Sequence, residues 1–124
     1  MCGINGLILD SDLNNSELIN SMNNEIIHRG PDDEGSYNDI IFGKKISLGM
    51  RRLSIIDIDN GNQPIISDDE NLILVFNGEI YNYKSLKIEL ETNHNIEFKT
   101  NSDTEVILKM YEIYGVESFS KLDG

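Results

Sequence analysis

The sequence predicts an α+β fold, and three observations carry that reading. Short apolar runs separated by Gly, Asn, Asp and Pro recur between Gly3 and Phe76, as strands of a meandering sheet do. Apolar residues return at three and four positions from Glu17 to Ile27, and again after Ser102, which is the spacing of one helix face. Ser102-Asp103-Thr104-Glu105 has the form of a capping box, a helix start written in side chains.

Gly3 to Leu9 reads as the first strand, closed by the Asp10-Ser11-Asp12 turn cluster, so Cys2 is tethered to a rigid element. A helix over Glu17–Ile27 follows, with Leu18, Ile19, Met22, Ile26 and Ile27 on its inner face. His28 and Arg29 suit its carboxyl end, and Gly30-Pro31 stops it. Strands are then expected at Ile40–Phe42, Ile46–Met50, Leu53–Ile56 and Leu72–Phe76; the last is continuously apolar, the mark of a strand buried on both faces. Tyr83–Leu90 reads as a helix and Glu97–Thr100 as a strand. In the final helix Ser102 is placed to accept from first-turn amides, Glu105 reaches back, Val106, Ile107, Met110 and Ile113 face inward, and Gly115 ends it. No closing element follows at Leu122-Asp123-Gly124, so the expectation is a domain cut before completion. No internal repeat occurs, and the excess of Asn reads as compositional bias.

A chain of 124 residues fits one domain. Ten basic against 22 acidic residues leave a net charge of −12, which argues against nucleic acid and anionic membranes and for a small soluble substrate. The opening apolar run is short, interrupted by Asn5 and Gly6, and preceded by no basic segment. It is neither a secretion signal nor a span, and the expected location is cytoplasmic. A single cysteine cannot form an internal disulfide and suits a reducing compartment.

That cysteine is residue 2. Removal of Met1 would place a thiol and a free α-amine on one residue, a nucleophile with its own base. The competing reading is a small hydrophobe opening a buried strand, which for a lone cysteine has the higher prior. Asn77-Gly78-Glu79, where the Leu72–Phe76 run ends, offers a side-chain amide and a backbone N–H for an oxyanion, though Asn-Gly alone also predicts a turn. Arg51 or Arg52 could grip a carboxylate through two parallel hydrogen bonds, or be surface charge. Asp103 in the first turn of a capped helix could simply complement the helix dipole. Two metal patterns fail. In Asp57-Ile58-Asp59-Asn60-Gly61 the Gly falls one place early for a calcium loop, so it reads as a turn. His28 and His94 stand far apart with no cysteine cluster near either.

Six segments occur together in order: Met1-Cys2-Gly3-Ile4, His28-Arg29-Gly30-Pro31-Asp32, Arg52-Leu53-Ser54-Ile55-Ile56-Asp57, Gly61-Asn62-Gln63-Pro64, Val75-Phe76-Asn77-Gly78-Glu79-Ile80-Tyr81-Asn82 and Ser102-Asp103-Thr104-Glu105-Val106-Ile107. Jointly they resemble the class II glutamine amidotransferase domain of glutamine-hydrolysing asparagine synthetase, across essentially the whole chain. The Arg-Gly-Pro-Asp segment favours that group over the sugar-phosphate and purine-pathway amidotransferases.

The resemblance implies an N-terminal nucleophile hydrolase fold, a four-layer αββα sandwich of antiparallel sheets, here C-terminally incomplete. It implies Cys2 as nucleophile, and Asn77 with the Gly78 amide as oxyanion hole. Arg52 would hold the α-carboxylate of L-glutamine, Glu79 and Asp103 its α-ammonium, and Leu53, Ser54, Ile55 and Ile56 would line the pocket. His28, Arg29 and Asp32 are assigned supporting roles. No cofactor is implied for this domain. ATP and Mg2+ would serve a synthetase domain, absent here, that receives the ammonia and amidates aspartate, and the full-length enzyme would be a homodimer. Two other functions compete: an amidotransferase with another acceptor, such as a sugar acid of a surface polysaccharide, and a glutamine-binding fragment without turnover.

Overall fold

Seven consecutive residues, Gly3–Leu9, form strand β1, and helix α1 follows at Asn15–Glu25. The computed structural model describes residues 2–10, 12–53 and 61–124. Met1, Ser11 of the first turn cluster, Ser54, Ile55 and Ile56 of the expected strand and pocket, and nearly all of the Asp57–Gly61 turn lie outside the described residues. Helix α1 begins because the Asn14 side chain accepts from the Ser16 and Glu17 amides, at 3.1 and 3.3 Å. Its last turn tightens into a 3-10 helix at Ile27–Arg29, so the regular helix ends two residues earlier than its apolar spacing suggests.

Strands β2 (Asp33–Ile41) and β3 (Lys44–Arg52) form a hairpin, and β3 lies between β1 and β2 in an antiparallel sheet. The two-residue turn is Phe42-Gly43 with φ of 51° and 77°, the left-handed pair that a hairpin twist selects. Both strands start earlier than the expected Ile40–Phe42 and Ile46–Met50; β2 stops at Ile41 because Phe42 is taken by the turn, while β3 runs on through Arg52. Arg51 and Arg52 therefore do not follow a strand but are its last two residues, and alternation sends their side chains to opposite faces.

Polar contacts tie α1 to the sheet. Asn23, 2% exposed, accepts from the Asn5 side chain at 3.0 Å and donates to the Gly35 carbonyl at 3.3 Å. Asn15 donates to Ser47, and Ser47 to Asn38. Several of the asparagines that read as compositional bias thus satisfy buried polar groups. Gly30 permits the chain's approach to β3: a Cβ there would lie 2.4 Å from the Arg51 carbonyl carbon and 2.5 Å from the Arg52 nitrogen. Gly30→Ala must push backbone from backbone. We expect a loss of about 1–3 kcal/mol, seen as a lower urea midpoint with unchanged slope.

These elements, with Asn62–Pro64 and Val75–Asn77, form one compact unit; Ile65–Leu74 and Gly78–Gly124 form most of a second. In the second unit β4 (Ile65–Ile66) pairs antiparallel with β5 (Ile73–Leu74). The expected buried strand Leu72–Phe76 is thus only two residues long and half-buried, because N–H groups on either side of it bond to side chains. Leu72 N–H goes to the Ser67 hydroxyl at 2.9 Å, and Phe76 N–H goes to the Gln63 side chain at 2.6 Å.

Helix α2 (Tyr83–His94) runs four residues past Leu90 and is capped by Asn95, whose φ of 55° is a conformation asparagine tolerates. Helix α3 (Asp103–Tyr114) ends at Gly115, where a 3-10 helix, Gly115–Lys121, begins. Leu86 and Leu90 of α2 pack on Val106 and Met110 of α3, with Phe98, Tyr114 and Leu122 against them. The capping box forms in part. Ser102 accepts from Glu105 N–H at 3.2 Å, but the Glu105 carboxylate reaches beyond Ser102 to Lys99 N–H (2.9 Å) and Thr100 N–H (2.7 Å). Those captured amides are the reason Glu97–Thr100 is a loop and not the expected strand.

The β4–β5 connection is held by Asp69, which accepts from the Ser67 hydroxyl (2.7 Å), the Asn71 side chain (2.7 Å) and Asn71 N–H (3.1 Å). These bonds hold its carboxyl down to about 2, from an ordinary value of 3.8. A depressed folded value means that the stabilisation is complete above about pH 3.8 and is lost as pH falls through about 2. The stability difference between the protein and Asp69→Asn is therefore expected to vanish across that window in acid-unfolding titrations.

Candidate active site

Strand register decides the surroundings of Cys2. Gly3 pairs with Arg51, so the residue before β1 meets the residues after β3. The Cys2 sulfur accepts from Leu53 N–H at 3.4 Å and lies 3.7 Å from the Leu53 carbonyl, while Arg29 Nε donates to the Cys2 carbonyl at 3.3 Å. Cys2 is half-exposed, not packed away as a core hydrophobe would be.

The two arginines diverge as alternation requires. Arg51 pairs with Glu34 and donates to the Gly30 carbonyl at 3.1 Å, so its guanidinium is committed to the fold. Arg52, on the opposite face, is 5% exposed and donates from Nη1 to Asn62 Oδ1 at 3.3 Å. A guanidinium buried to that degree needs polar partners. Asn77 is half-buried, and the residue before it is anchored by the Gln63 bond to Phe76 N–H. Cys2, Arg52, Leu53 and Asn77 therefore all belong to the first unit.

Gly78, Glu79 and Asp103 belong to the second. Asp103 is 6% exposed and opens α3, but its carboxylate does more than face the helix dipole: Oδ2 accepts from Ile80 N–H at 3.0 Å. Gly78 and Glu79 are exposed, and the residues after them are clasped by the end of the described chain. Tyr81 N–H donates to the Asp123 carbonyl (2.7 Å), Asn82 Nδ2 to the Lys121 carbonyl (2.9 Å), and Asp123 N–H to Asn82 Oδ1 (3.1 Å). A Cβ on Gly124 would stand 2.2 Å from the Glu79 carbonyl oxygen. Asn62, Gln63 and Asn82 received no role from sequence reasoning. Their only signal was membership of quoted motifs, because what each one holds is remote in sequence.

A separate cavity of about 550 Å³ in the second unit is lined by Asp68, Asp69, Asn71, Leu72, Lys109, Tyr111 and Glu112. Lys109 bridges Glu112 (3.0 Å) and Asp68 (3.2 Å); burial disfavours its charge, but the two carboxylates outweigh burial and raise its pKa. Lys99 also pairs with Asp68, and the two ammonium groups hold that carboxyl below its ordinary range. Among the described residues no group of three His, Cys, Asp or Glu side chains is placed to hold a metal ion, and no helix is long and apolar enough to cross a membrane.

The profile of a glutamine amidotransferase domain family matches residues 1–124. The chain is 46% identical over 128 residues to the glutamine-hydrolysing asparagine synthetase 1 of Bacillus subtilis, an alignment covering 100% of this chain and 20% of that protein. It is 42% identical over 139 residues to a putative glutamine-hydrolysing asparagine synthetase 2 of Methanocaldococcus jannaschii, covering 100% and 26%. Against the glutamine-hydrolysing asparagine synthetase of Zea mays it is 38% identical over 126 residues, covering 100% and 20%. The chain spans roughly a fifth to a quarter of the length of these relatives.

Proposed function

The chain belongs to the glutamine amidotransferase domain family, and from that premise we propose that it is the glutamine-hydrolysing part of an asparagine synthetase-type enzyme. The observation that carries the reading is Cys2: a lone thiol, half-exposed at the free end of a paired strand, with Leu53 N–H against its sulfur and Arg52 next in line.

The chemistry is acyl transfer. With Met1 removed, the Cys2 α-amine takes the thiol proton, directly or through one water, and the thiolate attacks the side-chain amide carbon of glutamine. The oxyanion is stabilised by the Asn77 side chain and Gly78 N–H. The proton returns to the leaving nitrogen, ammonia departs, and water resolves the γ-glutamyl thioester to glutamate. Arg52 holds the α-carboxylate, Glu79 and Asp103 the α-ammonium, and Leu53 borders the pocket. A zwitterion needs a cation, an anion and a nucleophile at its far end, and the residue types meet each need.

In this reading residues 1–124 are the N-terminal part of the amidotransferase domain. The sheet β1–β3–β2 with α1 contributes one α and one β layer to a four-layer sandwich. A synthetase part, with ATP and Mg2+, uses the ammonia to amidate aspartate, and no described residue of this chain is assigned to either cofactor. The test is protein of natural length, verified by mass to begin at Cys2, treated with a glutamine-analogue electrophile. A covalent adduct on the Cys2 peptide, and glutamate and ammonia formed in equal amounts from glutamine, are the expected results. An unmodified Cys2 peptide overturns the proposal.

A further inference from the structure

The segment Gly61-Asn62-Gln63-Pro64 takes no part in the chemistry above, yet one of its side chains holds a proposed glutamine contact and another holds the neighbour of a second. Asn62 Oδ1 accepts from Arg52 Nη1 at 3.3 Å. Gln63 Oε1 accepts from Phe76 N–H at 2.6 Å, one residue before Asn77. Strand β5 ends at Leu74, so Phe76 lies beyond the ladder and a side-chain amide fixes its N–H instead.

The clamp has a rigid base. The main chain of Gln63 sits in a notch on β2 that only glycine leaves open. A Cβ on Gly35 would lie 1.9 Å from the Gln63 carbonyl oxygen and 2.9 Å from Pro64 Cδ. Gly35 is in register with Met50 of β3, two positions before Arg52 and on the same face. A short path of packed and hydrogen-bonded groups therefore runs from β3 through Gly35 and Gln63 to Phe76, the residue before Asn77, all within the first unit.

We infer that Gln63 is a positioning residue for Asn77, setting where the oxyanion-hole amide stands, and that Asn62 does the same for Arg52. The inference rests on the glutaminase reading above. An oxyanion donor acts only when it is aimed at the place where charge develops, and a displacement near 1 Å costs about 10²-fold in rate. Gln63 therefore governs turnover, while Asn62 governs binding of the ground-state carboxylate.

Steady-state glutamine hydrolysis by the protein of natural length separates the two. Gln63→Met keeps the length but removes the acceptor, and is expected to lower kcat about 10- to 100-fold with KM within about twofold. Gln63→Glu keeps an oxygen acceptor and should recover most of kcat. Gln63→Asn draws the amide one methylene short of Phe76 and should fall with Gln63→Met. Asn62→Ala should raise KM several-fold at nearly constant kcat. Wild-type kcat in Gln63→Met or Gln63→Asn overturns the inference, as does an equal loss in Gln63→Met and Gln63→Glu or a change confined to KM at Gln63. Cys2 adduct formation distinguishes the failures: an unlabelled wild-type protein sinks the glutaminase reading and this inference together, whereas a labelled, active wild type without the kcat and KM split sinks only the inference.

Discussion

Replacing Cys2 by alanine is expected to reduce glutamine hydrolysis by on the order of 10⁴- to 10⁶-fold, the scale on which hydrolases lose activity with their nucleophile. In the proposed mechanism, removing the sulfur leaves no group in its place to form the γ-glutamyl thioester. The fold should survive. The side chain is half-exposed, and its described polar contacts are the two long ones to Leu53, at 3.4 and 3.7 Å. Melting temperature should therefore change little, and glutamine should still bind, as calorimetry would show. A Cys2→Ala protein that hydrolyses glutamine near the wild-type rate would remove Cys2 from the mechanism.

The second large effect is expected at Arg52. A charge-assisted bond contributes about 1.5–3 kcal/mol, so Arg52→Gln should raise KM for glutamine roughly 10- to 150-fold while kcat falls far less. Arg52→Lys keeps the charge but loses the planar fork and should lie between the two. The neighbouring arginine supplies the control. Arg51→Gln breaks the contacts to Glu34 and Gly30, and is expected to lower stability without a comparable rise in KM. If the two arginines exchange these phenotypes, the carboxylate partner has been assigned to the wrong face of β3.

How much of this was legible beforehand depends on where each hydrogen bond goes. Helices α1 and α3 were readable because their signals are local: Asn14 and Ser102 cap the first turns, and the apolar spacing lies within a few residues. The run Leu72–Phe76 misled because apolar character predicts burial but not which partner satisfies the backbone. Ser67 and Gln63 intercept amides that a ladder would otherwise use. At Glu97–Thr100 the capping box was visible, but the reach of Glu105 was not. The choice between Arg51 and Arg52 could not follow from alternation until the strand was known to include both. Within the candidate site, Cys2 stood out by position and Asn77 by the motif around it. Asn62 and Gln63 acquire their meaning from residues 10 and 13 positions away.

The clasp between Asn82 and Lys121–Asp123 also sets an order in time. Asn82 and Asp123 are 41 residues apart, and at about 5–20 residues per second a ribosome needs about 2–8 s to bridge them. Strand β1 can pair once β3 has emerged, whereas the loop after Gly78 waits for Lys121 and Asp123. A newborn chain should thus pair its first strand before the loop after Gly78 is secured. Stalled nascent chains ending before Lys121 are expected to leave the loop around Asn82 open to proteolysis, and chains with Lys121–Asp123 clear of the ribosome to protect it, so that closure of this loop is timed by synthesis.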